Sequence, residues 1–381
     1  MSDKIEINGY YEEQFEPVKE VLAESIRSGE NVGASFAATI EGKFVVDIWG
    51  GYADAAHTRP WEEDTIVNVY STTKVMSVIC VLILVDRGHL NLDAPVAKYW
   101  PEFAQAGKEK LPIRFLLSHT AGLPGFHKII KMEDYYNWDK IVRILAAQKP
   151  SWEPGTQSGY HAVTQGYLLG EVVKRVTGKT IGTFFREEVA DPLKADFHIG
   201  LPEEHDPRVA DLVAPPPVEP VQSWRNDPQL SAERGYYTPT ISPKKCLSRE
   251  WRGAEIPAAN GHGNARSAAR IGAAVACGGE LDGVHLLSLE TIEKALEEQS
   301  YSKDLIMQIP IRWGLGFGLN SRELRLGRNP RAFCWGGWGG SSLVMDLDDK
   351  TSYSFVMNKM TDTVLGDARS AKLGRAFLKS K

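Results

Sequence analysis

The residues best placed to do chemistry begin at Ser71-Thr72-Thr73-Lys74, a serine three positions ahead of a lysine. Residues three apart on a helix share a face, so the amine would lie beside the hydroxyl. The run that follows, Val75 to Val85, is apolar apart from Ser77 and reads as a buried helix. Burial disfavours an ammonium, which lowers the lysine pKa and fits Lys74 to take a proton near neutral pH. A helix start would also favour negative charge developing at Ser71. The same spacing recurs at Ser242/Lys245 and Ser300/Lys303. Ser242 is followed by Pro243 in a polar loop, and Ser300 reads as the end of an acidic helix. Only the first pair lies between a strand-like run, Val67 to Tyr70, and an apolar helix. A serine that simply caps a buried helix would look the same, and the motif alone does not choose between the two.

A second element is Pro154-Gly155-Thr156-Gln157-Ser158-Gly159-Tyr160-His161-Ala162. A tyrosine in a tight glycine-containing loop, next to a helix start, can be held rigidly at a cleft. Beside Lys74 its phenolate would be favoured, making Tyr160 a second candidate base. The plain alternative is a packed loop tyrosine. His161 ranks lower as a base, because spacing supplies no carboxylate partner and the chain has no G-x-S-x-G elbow. The third element is Cys334-Trp335-Gly336-Gly337-Trp338-Gly339-Gly340-Ser341. Paired glycines before a strand permit close approach, and main-chain N–H groups there could complete an oxyanion hole with that of Ser71. Alone, this stretch reads as an ordinary glycine-rich turn.

The elements that must position these groups follow from periodicity. Residues 11–29 read as a helix. Ser35 to Ile40 and Phe44 to Trp49, about the turn Glu41-Gly42-Lys43, read as a hairpin. The Ser71 helix stops at Arg87-Gly88. Leu169, Val172, Val173 and Val176 mark a helix over 166–176, closed by Gly178. A further helix is expected over 267–277, then strands over 342–347 and 352–357, then a closing amphipathic helix. Pro215 to Pro220 reads as a rigid surface loop. Strands at both ends and helices between them predict an α/β chain of the α+β type. Its domain would be built from residues 1–88 and 256–381, with a mainly helical insert over 89–255.

Composition narrows the function classes. Of 381 residues 43% are hydrophobic and 24% charged, with a net charge of −5 and no basic block, so neither nucleic acid nor a membrane is the expected partner. The first residues lack a secretory pattern, and Cys80, Cys246, Cys277 and Cys334 have no C-x-x-C spacing, which reads as a cytoplasmic protein with reduced thiols. No H-E-x-x-H or His/Cys cluster suggests a metal, and no cofactor is called for.

Taken together and in this order, the three elements resemble the β-lactamase and penicillin-binding-protein superfamily, whose marks include S-x-x-K. The chain looks most similar to class C β-lactamase-like serine hydrolases of the family VIII carboxylesterase branch. Further matching stretches are Gly88 to Val96, Leu117-Ser118-His119-Thr120-Ala121-Gly122-Leu123-Pro124 and Asn264-Ala265-Arg266-Ser267. The resemblance implies an antiparallel sheet flanked by helices with an inserted helical lobe. It implies Ser71 as nucleophile, Lys74 and Tyr160 as the proton-handling pair, and the N–H groups of Ser71 and Trp338 as the oxyanion hole. Two departures bear on substrate. Class C enzymes carry Tyr-x-Asn where this chain has Tyr160-His161-Ala162, and Lys-Thr-Gly where it has Trp335-Gly336-Gly337. Losing a charge-assisted contact to a substrate carboxylate costs roughly 1.5–3 kcal/mol. The expectation is therefore hydrolysis of small, short-chain esters through an acyl-enzyme on Ser71. Trp335, Gly336, Gly337, His161, Phe126 and Trp138 are the expected substrate contacts, drawn partly from a wider set of lobe aromatics that includes Trp224. A β-lactamase or D-Ala-D-Ala peptidase, an acyltransferase, and an inactive binding scaffold remain open, as does the oligomeric state.

Overall fold

The computed structural model describes residues 6–215 and 228–381. Residues 1–5, read above for a secretory pattern, the proline run from Pro216 to Pro220 and Trp224 lie outside them. Nine strands form one sheet in the order Ile7–Tyr11, Lys43–Gly51, Gly33–Ile40, Thr351–Met357, Ser342–Asp346, Ala332–Gly336, Gly318–Leu319, Pro310–Trp313, Ser300–Lys303. Every pairing is antiparallel. The two chain ends meet at its centre, where Phe36 faces Phe355 and Ala38 faces Tyr353. The sheet is thus built from both termini, and the hairpin of strands Gly33–Ile40 and Lys43–Gly51 turns at Glu41 and Gly42, both at positive φ.

Helices cover both faces. Ala265–Ala276 lies on one, its Gly272 so close to Leu343, Met345 and Ser352 that a side chain would collide with them. Asn264 caps it reciprocally with Ser267. Glu16–Arg27 and Ala368–Ser380 lie on the other, joined through Phe15 stacked on Phe377 at 5.4 Å. The helix Thr73–Asp86 is buried nearly all round, as its unbroken apolar run requires. It packs against Thr164–Thr177, which ends at Gly178 in the left-handed region. Among the described residues from 89 to 255 the only strand is Phe197–His198, which joins Val67–Asn68 and His262–Gly263 in a three-stranded sheet next to the Ser71 turn.

Three local expectations are corrected. The segment 11–29 opens not as a helix but as the end of an edge strand, Ile7–Tyr11, and its helix starts at Glu16. That strand is exposed at its centre and lacks the alternation by which a half-buried strand is recognised. Ser300 is not at a helix end. It opens the strand Ser300–Lys303, where residues three apart point to opposite faces, so Lys303 cannot serve it. Ser71 does not open an α-helix directly but sits in a 3-10 turn, Tyr70–Thr72, that precedes Thr73–Asp86. All four cysteines are unpaired. Among the described residues no helix is long and apolar enough to cross a membrane.

Candidate active site

The turn that carries Ser71 is held in an unusual backbone state. Tyr70, immediately before it, has φ +44°, a region bulky side chains rarely enter and which costs on the order of 1–3 kcal/mol. Tertiary contacts hold it there. The Tyr70 ring packs against Trp338 at 5.2 Å, and its hydroxyl donates to Cys246 Sγ at 3.5 Å. Ser341 Oγ donates to the Val69 carbonyl at 2.8 Å and lies 3.0 Å from Thr72 Oγ1, tying the glycine-rich loop to both sides of Ser71. A side chain at Gly337 would run into the Val69 carbonyl and reach within 3.2 Å of the Ser71 nitrogen. Position 337 must be glycine for this approach. Among the described residues neither Trp338 N–H nor Ser71 N–H has a hydrogen-bond partner.

Lys74 is 1% exposed, and its Nζ has three neighbours. It lies 2.6 Å from the Ala162 carbonyl, 2.9 Å from the Ala258 carbonyl and 3.2 Å from Ser71 Oγ. Burial pushes the amine well below its usual pKa. A neutral amine has two N–H donors and one lone pair. Two carbonyls and one hydroxyl satisfy that set completely, with the lone pair left to accept the Ser71 proton. Ser77 and Thr73, from the same helix, bond the Pro257 carbonyl at 2.6 Å and the Gly261 N–H at 2.9 Å, fixing the segment that presents Ala258.

Tyr160 places its ring 4.8 Å from Lys74 Nζ and takes a hydrogen bond from Trp335 Nε1 to its hydroxyl at 3.2 Å. Burial raises its pKa, while hydrogen bonds with Ser71 and Trp335 act the other way and do not overcome it. Burial thus favours the phenol over the phenolate form that the sequence reading expects beside Lys74.

Other expected residues are placed differently. His161 is fully buried, with Nε2 accepting from Leu123 N–H at 3.0 Å and Nδ1–H directed to the Gly159 carbonyl at 2.6 Å. Burial drives its pKa down to about 3. Both ring nitrogens are thus engaged in bracing the loop. Phe126 is buried against Tyr135, and Trp138 donates to Glu171 at 2.7 Å beside a separate cavity that also includes Tyr136 and Glu255. Neither is brought to Ser71. Trp335, 1% exposed, sits beneath Tyr160 rather than on the cleft surface. Gly336 is packed against Leu365 and Gly366.

Two residues that spacing did not single out hold Tyr160. The His119 carbonyl accepts from Gly159 N–H and its Nδ1 accepts from His161 N–H, both at 3.0 Å, so one residue grips the chain on either side of the tyrosine. Its ring meets Tyr160 edge-on at 5.0 Å and Trp313 at 4.4 Å. Asp304 Oδ1 accepts from the Tyr160 N–H at 3.0 Å. Only the stretch Leu117 to Pro124 hinted at His119, and nothing marked Asp304.

Comparison with known proteins gives the family. The model of the beta-lactamase family matches residues 18–376. The chain belongs to the beta-lactamase family. Within it, the chain is 42% identical to a structurally determined family VIII carboxylesterase, with a TM-score of 0.92 over 99% of this chain and 100% of the other. A penicillin-binding protein homologue from Caulobacter crescentus gives 39% identity and the same TM-score and coverage. The esterase/beta-lactamase LipL of Mycobacterium tuberculosis is 33% identical over 86% of this chain and 77% of its own length.

Proposed function

We propose that this beta-lactamase family member is a serine carboxylesterase, working through Ser71, Lys74 and Tyr160. The observation that carries the reading is the desolvated amine of Lys74, 3.2 Å from Ser71 Oγ with its other two positions taken by carbonyls. Lys74 accepts the Ser71 proton as Oγ attacks the ester carbonyl carbon. The oxyanion is received between the N–H groups of Ser71 and Trp338. Tyr160 gives its proton to the departing alkoxide and regains one from the Lys74 ammonium. Water then attacks the acyl-enzyme by the same steps in reverse, releasing the acid.

Trp335 supports the choice of a neutral ester. The class C pattern places a lysine at this position, and here an indole N–H reaches Tyr160 instead. The cation that would attract a substrate carboxylate is gone. The similarity to a family VIII carboxylesterase and to LipL, whose name joins esterase and beta-lactamase, favours the same assignment. The site draws on three stretches of chain: Ser71 and Lys74 from residues 1–88, Tyr160 and Ala162 from 89–255, and the supporting Ala258 and Trp335 from 256–381. That supports a division into a two-segment domain and an inserted lobe, with catalysis at their junction. The four unpaired thiols favour a cytoplasmic setting.

The test is turnover of p-nitrophenyl acetate and butyrate by the wild type and Ser71→Ala. A loss of about a thousandfold or more in kcat is expected. Equal turnover by the two proteins overturns the nucleophile assignment.

A further inference from the structure

A cavity of about 530 Å³ lies away from Ser71, Lys74 and Tyr160. Its position follows from strand register. Cys334 pairs with Val344, and Val344 pairs with Tyr353, so these three side chains share one face of the sheet. Trp335 and Leu343, one residue along, share the other. The cavity opens on the Cys334 face, roofed by the helix Ala368–Ser380 and the loop Leu324 to Gly327. Tyr160 bonds the Trp335 indole on the opposite side. Trp335 and Gly336 also reach its lining from the strand Ala332–Gly336, whereas Ser71, Lys74 and Tyr160 do not touch this space.

Its chemistry is divided. Val344, Tyr353, Leu326 and Leu378 make an apolar interior, and Arg325 and Arg375 stand exposed on its lining. Among the described residues neither guanidinium has a hydrogen bond or an ion pair. The lone carboxylate on the lining, Asp367, is already engaged: it accepts from the side chain of Arg369 and from the N–H groups of Arg369 and Ser370 that it caps. The surrounding sequence is cationic in a chain of net charge −5. The helix Ala368–Ser380 holds Arg369, Lys372, Arg375 and Lys379 and no acid, and residues 322–331 hold four arginines against Glu323.

Small-molecule sites are mostly apolar, with a few polar groups that orient the ligand, and occupy roughly 300–1,000 Å³. Two unpaired arginines select a planar anion at the mouth, because guanidinium matches carboxylate geometry. We propose that this cavity binds an amphipathic carboxylate, a medium-chain acyl anion with its tail between sheet and helix and its head between Arg325 and Arg375. The assignment does not depend on the catalytic reading.

Sodium octanoate titrated calorimetrically into the full chain tests it, with 1-octanol as the uncharged control and Arg325→Glu/Arg375→Glu as the variant. Both arginines are exposed, so the variant should fold and should keep its turnover of p-nitrophenyl acetate. One octanoate per chain is expected, weakened at least about tenfold by the double charge reversal, with octanol weaker than octanoate on the wild type. Absence of octanoate binding, equal octanoate affinity in the two proteins (as for binding in the catalytic cleft), or octanol binding as tightly as octanoate overturns the proposal.

Discussion

Two lysines of this chain are buried to the same degree, yet only one is placed to do chemistry. Lys74 is 1% exposed and Lys108 0%. Both lie among main-chain carbonyls. Lys108 Nζ donates to the carbonyls of Gln105 at 2.9 Å, Ala146 at 3.0 Å and Gln148 at 2.5 Å. Three acceptors call for three N–H groups, so Lys108 is matched to the ammonium form and ties its own loop to the end of the helix Trp138–Ala147. At Lys74 the third partner is a hydroxyl, which can give a proton as well as take one. Burial lowers both pKa values: Lys108 to about 8, still cationic at neutral pH, and Lys74 well below its usual range. Desolvation alone does not make a base. What decides is whether a lone pair is left free to face the group that must be deprotonated.

Replacing each lysine by methionine should separate the two roles most sharply. Lys74→Met should lose about a thousandfold or more in kcat on p-nitrophenyl acetate. Lys108→Met should stay within about threefold per folded molecule while losing stability, since three buried carbonyls lose their donor. Comparable activity losses in both variants would erase the distinction.

A smaller effect is expected where the amine's partner is only positioned. His119→Ala removes the ring nitrogen that holds the chain beside Tyr160 and leaves Ser71 and Lys74 untouched. We expect kcat to fall by about ten- to a hundredfold with KM little changed, because a misplaced proton donor weakens the transition state more than substrate binding. A fall confined to KM would assign His119 to substrate contact instead.

The finest test is pH. An unfolded lysine titrates near 10.4, above the value of about 8 for Lys108 in the fold. Between those values the unfolded chain binds more protons, so stability rises with pH across that window and is level below it. Denaturant unfolding of wild type and Lys108→Met at pH 7, 9 and 10 isolates this residue. The wild type should gain on the variant from pH 7 to 10. A constant or falling difference would mean that Lys108 stays charged throughout.

Much of the fold was legible because local signals were strong. The apolar run after Lys74, the leucine and valine spacing before Gly178, and the two hairpins each carry their own period. The edge strand Ile7–Tyr11 was not legible, since an exposed strand has no buried face to imprint alternation. The strand Ser300–Lys303 was hidden for the same reason, its residues being half-buried or exposed. In the candidate site, the residue types and their order pointed to Ser71, Lys74 and Tyr160. The substrate contacts did not follow, because an aromatic side chain in a loop carries no sign of the direction in which it will pack. Phe126, Trp138 and His161 all turned into the protein.

By itself the sequence determined which groups could react: a serine one helical turn from a lysine, ahead of a segment apolar enough to be buried. Only the tertiary structure decided what form those groups take. Lys74 is buried against carbonyls 88 and 184 residues away and Tyr160 against an indole 175 residues away, and that burial is what shifts both groups. Hydrogen bonding and desolvation act through space, so no local reading of the chain contains them.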